Sequence, residues 1–121
     1  EKPSAPVRGT GALLEYRGFQ VADLDFKATF YFKGGALDRV SLQPVEEQMG
    51  AVARGVALRL RDSLVAKYGA PVSSNNRGES KMEANWTSNG VQIRFGFDQY
   101  SESGVGFFIL TYVAPQDVGN I

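Results

Sequence analysis

Asn89-Gly90, set between two runs of alternating apolar residues, leaves this chain few architectures to choose from. Met82, Ala84 and Trp86 alternate with polar residues before the pair, and Val91, Ile93, Phe95 and Phe97 alternate after it. A period of two marks a strand with one buried face. Asn-Gly is the favoured pair for a type I′ turn, whose twist matches that of the strands it joins. The turn sets Trp86 opposite Ile93, Ala84 opposite Phe95 and Met82 opposite Phe97. An antiparallel hairpin from Lys81 to Phe97 follows, and its apolar face needs a cover.

A second hairpin is expected upstream. Phe26, Ala28, Phe30 and Phe32 alternate within Leu24 to Lys33, Gly34-Gly35 breaks the run, and Ala36 to Leu42 returns. A two-residue turn would set Phe30 opposite Arg39 and Ala28 opposite Ser41. A three-residue loop with a glycine bulge instead pairs Phe26 with Leu42, Ala28 with Val40 and Tyr31 with Leu37, and is preferred because it keeps one face apolar.

The cover is a helix expected from about Glu46 to Tyr68, where Met49, Ala53, Val56, Leu60, Leu64 and Tyr68 form one stripe. Glu46 and Glu47 suit its positive end, and Arg59, Arg61 and Lys67 its negative end. Gly69 and Pro71 end it. Val72–Ser80 and Asp98–Gly104 read as loops, and Leu13 to Tyr16 as a short edge strand. Val105 to Ala114 is apolar on both alternating faces, which suits a central strand. The expectation is an α+β fold, an antiparallel sheet of about five strands packed against one helix in the order β-β-α-β-β-β. Residues 1–11, with two prolines and two glycines, read as a flexible leader to a single domain over 12–121.

Composition narrows function by exclusion. The chain of 121 residues carries 13 basic and 13 acidic residues, so no net charge draws it to nucleic acid. No apolar run approaches the roughly 20 residues that cross a bilayer as a helix. The chain begins at Glu1, which reads as a mature or trimmed form. It has no Cys and no His, which removes Cys- and His-based catalysis and the usual zinc ligands. No cofactor is expected, and the chain reads as a non-enzyme.

Several short patterns carry little chemistry. The acid pairs Asp23 with Asp25 and Asp98 with Glu102 read as solvated surface, and Asp98-Gln99-Tyr100-Ser101-Glu102 does not match a calcium loop. Ser63 and Lys67 are four apart, the wrong spacing for Ser-x-x-Lys enzymes. Gly9-Thr10-Gly11 lacks the Lys-Ser pair of a phosphate loop, and Asn85-Trp86-Thr87 matches the glycosylation pattern on a strand. Trp86, Phe95 and Phe97 read as core, and Arg54, Arg61 and Lys67 as a solvated helix face.

The segments Phe30-Tyr31-Phe32-Lys33-Gly34-Gly35-Ala36-Leu37 and Leu64-x-x-Lys67-Tyr68-Gly69-x-Pro71, with Trp86, Ile93 and Tyr112, resemble a pattern of small bacterial periplasmic α+β domains. These include the small outer-membrane assembly lipoprotein and the β-lactamase inhibitor protein type. The resemblance implies a periplasmic or secreted location and a protein-binding role, as an inhibitor, an immunity-type protein or an envelope assembly factor. The lipid-bearing cysteine of such lipoproteins is missing here.

If Phe107 and Ile109 face the core, then Tyr31, Leu37, Phe108, Leu110 and Tyr112 lie on the other side of the sheet, with Tyr100 in the neighbouring loop. An apolar, tyrosine-rich patch of that kind suits a partner protein, with a homodimer left open. Alternatively the N-terminal segment with Leu13, Leu14 and Tyr16 folds over it. The other functional reading is a small-ligand carrier with an aromatic cleft between helix and sheet. A packed stripe of Val56, Leu60 and Leu64 would leave no room for one.

Overall fold

The computed structural model describes residues 12–21, 24–78 and 80–115; the leader expected over 1–11 and Asp23 lie outside them. Strands β1 (Ala12–Val21), β2 (Leu24–Lys33), β3 (Ala36–Pro44) and β4 (Gln48–Met49) precede helix α1 (Gly50–Tyr68), and β5 (Ser73–Asn76), β6 (Lys81–Ser88), β7 (Val91–Gln99) and β8 (Val105–Val113) follow it. All pair antiparallel in one eight-stranded sheet, ordered β1-β2-β3-β8-β7-β6-β5, with β4 also paired to β8.

The sheet of about five strands in the order β-β-α-β-β-β is therefore wrong: the described residues form eight strands, four before the helix in the chain and four after it. The missed strands lack a hydrophobic period. β5 is Ser-Ser-Asn-Asn, exposed throughout and held through its backbone on β6. β4 has only two residues, too short to show a period. β1, expected only as a short edge strand over Leu13 to Tyr16, runs on to Val21 through irregularities between Ala12 and Leu14 and between Tyr16 and Phe19.

The β6–β7 hairpin has the register that Asn89-Gly90 dictates: Trp86 pairs with Ile93, Ala84 with Phe95 and Met82 with Phe97. Asn89 and Gly90 adopt φ of 52° and 81°, as a type I′ turn requires. The β2–β3 hairpin departs from its expected register. Its turn is the tight Gly34-Gly35 pair, with Lys33 opposite Ala36, and an extra residue in β3 then moves Tyr31 opposite Arg39. Beyond that bulge Phe30 faces Val40 and Ala28 faces Leu42. The apolar faces align through a bulge in the strand, which slides the pairing by one residue.

Helix α1 starts four residues later than expected from Glu46, because Gln48–Met49 extends along Gly106 and Val105 of β8. Gly50 N–H donates to the Gly104 carbonyl at 2.9 Å, which starts the helix at the foot of β8. Glu46 and Glu47 thus lie outside its first turn, which carries no acid. At its other end the Trp86 Nε1 donates to the Gly69 carbonyl at 2.8 Å, tying the helix stop to β6. The helix buries Ala53, Val56, Ala57, Leu60 and Leu64 against the sheet. Facing them are Met82, Ala84, Trp86, Ile93, Phe95, Phe97, Phe108 and Leu110, with Phe26, Ala28 and Leu42 completing the core. Full burial of each large side chain contributes on the order of 1.5–3 kcal/mol.

Candidate functional site: a cleft beside the helix

Strand β8 is central, as its two apolar faces suggest, but the faces are the reverse of those expected. Its register with β7 sets Phe108 opposite Phe97 and Leu110 opposite Phe95. Phe95 and Phe97 face the helix with Trp86, so Phe108 and Leu110 must do so too, and both are buried. Phe107 and Ile109 point to the open face, each 53% exposed. The partner surface expected at Tyr31, Leu37, Phe108, Leu110 and Tyr112 is therefore not one surface. Tyr31 lies half-buried opposite Arg39, whose guanidinium sits 4.1 Å above its ring. Leu37 is exposed near the hairpin tip, opposite Phe32. Tyr100 is 83% exposed and its ring centroid lies 5.9 Å from that of Phe107, on the open face.

Leu110 and Tyr112 instead contribute to a cleft of about 480 Å³ on the helix side of the sheet. The helix packs most closely against β4, β6 and β8, so the inner face of β2 and β3 is buried at Phe26, Ala28 and Leu42 and opens towards Phe30 and Val40. The stripe of Val56, Leu60 and Leu64 is packed along its whole length, with no cavity beneath it, so the cleft lies beside the stripe. The gap opens at the next turns, where Ser63, Leu64, Lys67 and Tyr68 form one wall. β1–β3 supply Phe19, Gln20, Val21, Phe30, Val40 and Leu42 to the opposite wall. Alternation places Phe30, Val40, Leu42, Leu110 and Tyr112 on one face of three adjacent strands.

The polar groups in the cleft are few. Tyr112 on the sheet and Tyr68 on the helix both line the cleft and interact there. Burial, reinforced by the interaction with Tyr68, raises Tyr112 well above the ordinary tyrosine range. Tyr112 is thus a neutral phenol at physiological pH. Ser63 and Lys67 both line the cleft. Sequence reasoning missed Phe30, Val40 and Tyr68 as site residues because each reads as ordinary core in its own element, and Phe19 because it lies beyond the strand expected over Leu13 to Tyr16.

A second hollow, of about 510 Å³, lies at the helix entry among Arg54, Ser80, Gln99, Tyr100, Ser101 and Glu102. Its polar groups serve the fold. Arg54 Nη1 donates to Gln99 Oε1 at 2.7 Å and to the Glu102 carbonyl at 2.8 Å. Gln99 Nε2 donates to the carbonyls of Gly50 and Gly104 at 3.1 and 2.9 Å. Asp98 accepts from Lys81 Nζ at 3.3 Å. Among the described residues, no helix is long and apolar enough to cross a membrane. No family model, curated protein or solved structure matches the chain.

Proposed function

We propose that this domain binds a small, largely apolar molecule in the cleft between α1 and β1–β3. The observation that carries the reading is the cleft itself: about 480 Å³, walled by apolar side chains from helix and sheet. Small-molecule sites have this character, with volumes of roughly 300–1,000 Å³ and a few polar groups that fix orientation. The Tyr68–Tyr112 pair supplies such groups. A phenol kept protonated can donate or accept a hydrogen bond that orients an occupant.

Binding to the native state alone stabilises it by RT ln(1 + [L]/Kd). A neutral probe, 1-dodecanol, at a free concentration of 100 Kd then adds about 2.7 kcal/mol and raises the melting temperature by roughly 10 °C. Calorimetric titration gives Kd and scanning calorimetry gives the shift. An unmoved melting temperature throughout the soluble range of the probe contradicts the reading.

A second reading keeps a partner protein but moves the contact. Tyr100, Phe107 and Ile109 are all more than half exposed on the open face, and aromatic residues are enriched where proteins meet. In that reading the partner covers the Tyr100–Phe107 pair, and replacing both by Ser abolishes capture while leaving dodecanol binding intact.

A further inference from the structure

We infer that the preferred occupant of the cleft is an amphiphile with one negatively charged head group, seated with its head at Lys67 and its tail against Val40, Leu42, Leu64 and Leu110. This rests on the proposal that the cleft is a binding site. Among the described residues that line it, Lys67 is the one that carries charge, and none is a carboxylate. Among the described residues Lys67 takes part in no ion pair, whereas Lys27 and Lys81 each face an acid. Its ammonium lies 5.5 Å from the centroid of the Tyr68 ring. Tyr68 is itself a wall of the cleft, so a cation–π contact keeps the charge at the site.

The rest of the lining sorts by polarity along the helix and sheet. Ser63 and Gln20 are exposed residues that supply uncharged polar groups. The deeper lining, Leu42, Leu64 and Leu110, is apolar and buried. A charged group placed among Val40, Leu42 and Leu110 would lose its hydration without a partner there, which costs several kcal/mol or more. At Lys67 a carboxylate keeps water on one side and gains a cation on the other. A lysine is a compact point charge that suits one anionic group without demanding a forked geometry.

The test compares ligands that share a tail and differ in head. Dodecanoate, 1-dodecanol and dodecyltrimethylammonium are titrated calorimetrically below their aggregation concentrations into the wild-type chain, Lys67→Gln and Lys67→Arg. Lys67 is exposed, so the substitutions leave the fold intact, as circular dichroism and the melting temperature will report. Dodecanoate is expected to bind wild type about fivefold more tightly than dodecanol, the worth of an ion pair that water still reaches. The cationic ligand is expected to bind weakest. Lys67→Gln brings dodecanoate to the level of dodecanol, and Lys67→Arg keeps the preference. If dodecanol matches dodecanoate on the wild-type chain, or if Lys67→Gln leaves their ratio unchanged, the head-group assignment is wrong and the apolar site stands. If no ligand of the three binds, both the site and its occupant are refuted.

Discussion

Tyr112 joins the three features on which the account depends: it sits on the central strand, lines the cleft and reaches the helix through Tyr68. Its pKa is raised in the folded chain, chiefly by burial, so folding favours the protonated phenol. That contribution is fully present below the ordinary tyrosine value of about 10 and is lost as pH rises beyond it, where the unfolded chain ionises first. Tyr112→Phe has no such proton to lose. Its stability should fall less steeply than that of wild type between pH 9 and 11. Urea unfolding midpoints across that range measure the difference. Equal slopes for the two proteins would show that Tyr112 is not held neutral by the fold. Gln99 makes the complementary point. It is the one buried polar side chain among the described residues, and its amide accepts from Arg54 and donates to two backbone carbonyls. A buried amide with both ends satisfied fixes where the helix begins.

At the scale of elements, the approach of α1 to β8 is set by a residue with no side chain. A Cβ added at Gly106 would stand 2.6 Å from Phe97 Cε1 and 2.8 Å from the Ala53 Cβ. Gly106→Ala should therefore push the first turns of the helix off β8 and destabilise the domain by about 1–3 kcal/mol, as overpacking does. Denaturant unfolding checks this, and an unchanged midpoint would show that the helix approach is looser than the distances state. Gly106 lies on the helix-facing side of β8. Its alternation partners are Phe108 and Leu110, and the smallest residue of the strand lies where another element presses closest. The β6–β7 hairpin was legible because turn chemistry and alternation agree within one short segment. The orientation of β8 was not, since Phe107 and Ile109 are as apolar as Phe108 and Leu110, and the choice is made by pairing with β7. Asp38 shows the same dependence: its carbonyl accepts the Ala114 N–H at 2.9 Å from across the sheet, beside the bulge that shifts the β2–β3 register. No local pattern announces either contact. The cleft was legible only as a class of site, because its walls come from elements far apart in the chain.

For the whole molecule, the central fact is that one 19-residue helix is too small to cover the inner face of an eight-stranded sheet. It packs at β4, β6 and β8, and along the β1–β3 side the apolar face ends in an open cleft. Phe19 is 41% exposed there, and an occupant would give it and Phe30 the contact the chain itself does not provide. Binding energy then comes from burying apolar surface that folding leaves wet. Methyl groups report this most directly, since Val21, Val40, Leu42, Leu64 and Leu110 line the cleft while Val105 and Ile109 belong to the opposite side of β8. In a methyl-labelled chain titrated with dodecanoate and followed by NMR, the first set should shift together and saturate with one ligand per chain, and the second should stay in place. Shifts confined to Val105 and Ile109, with the cleft methyls unmoved, would contradict the account.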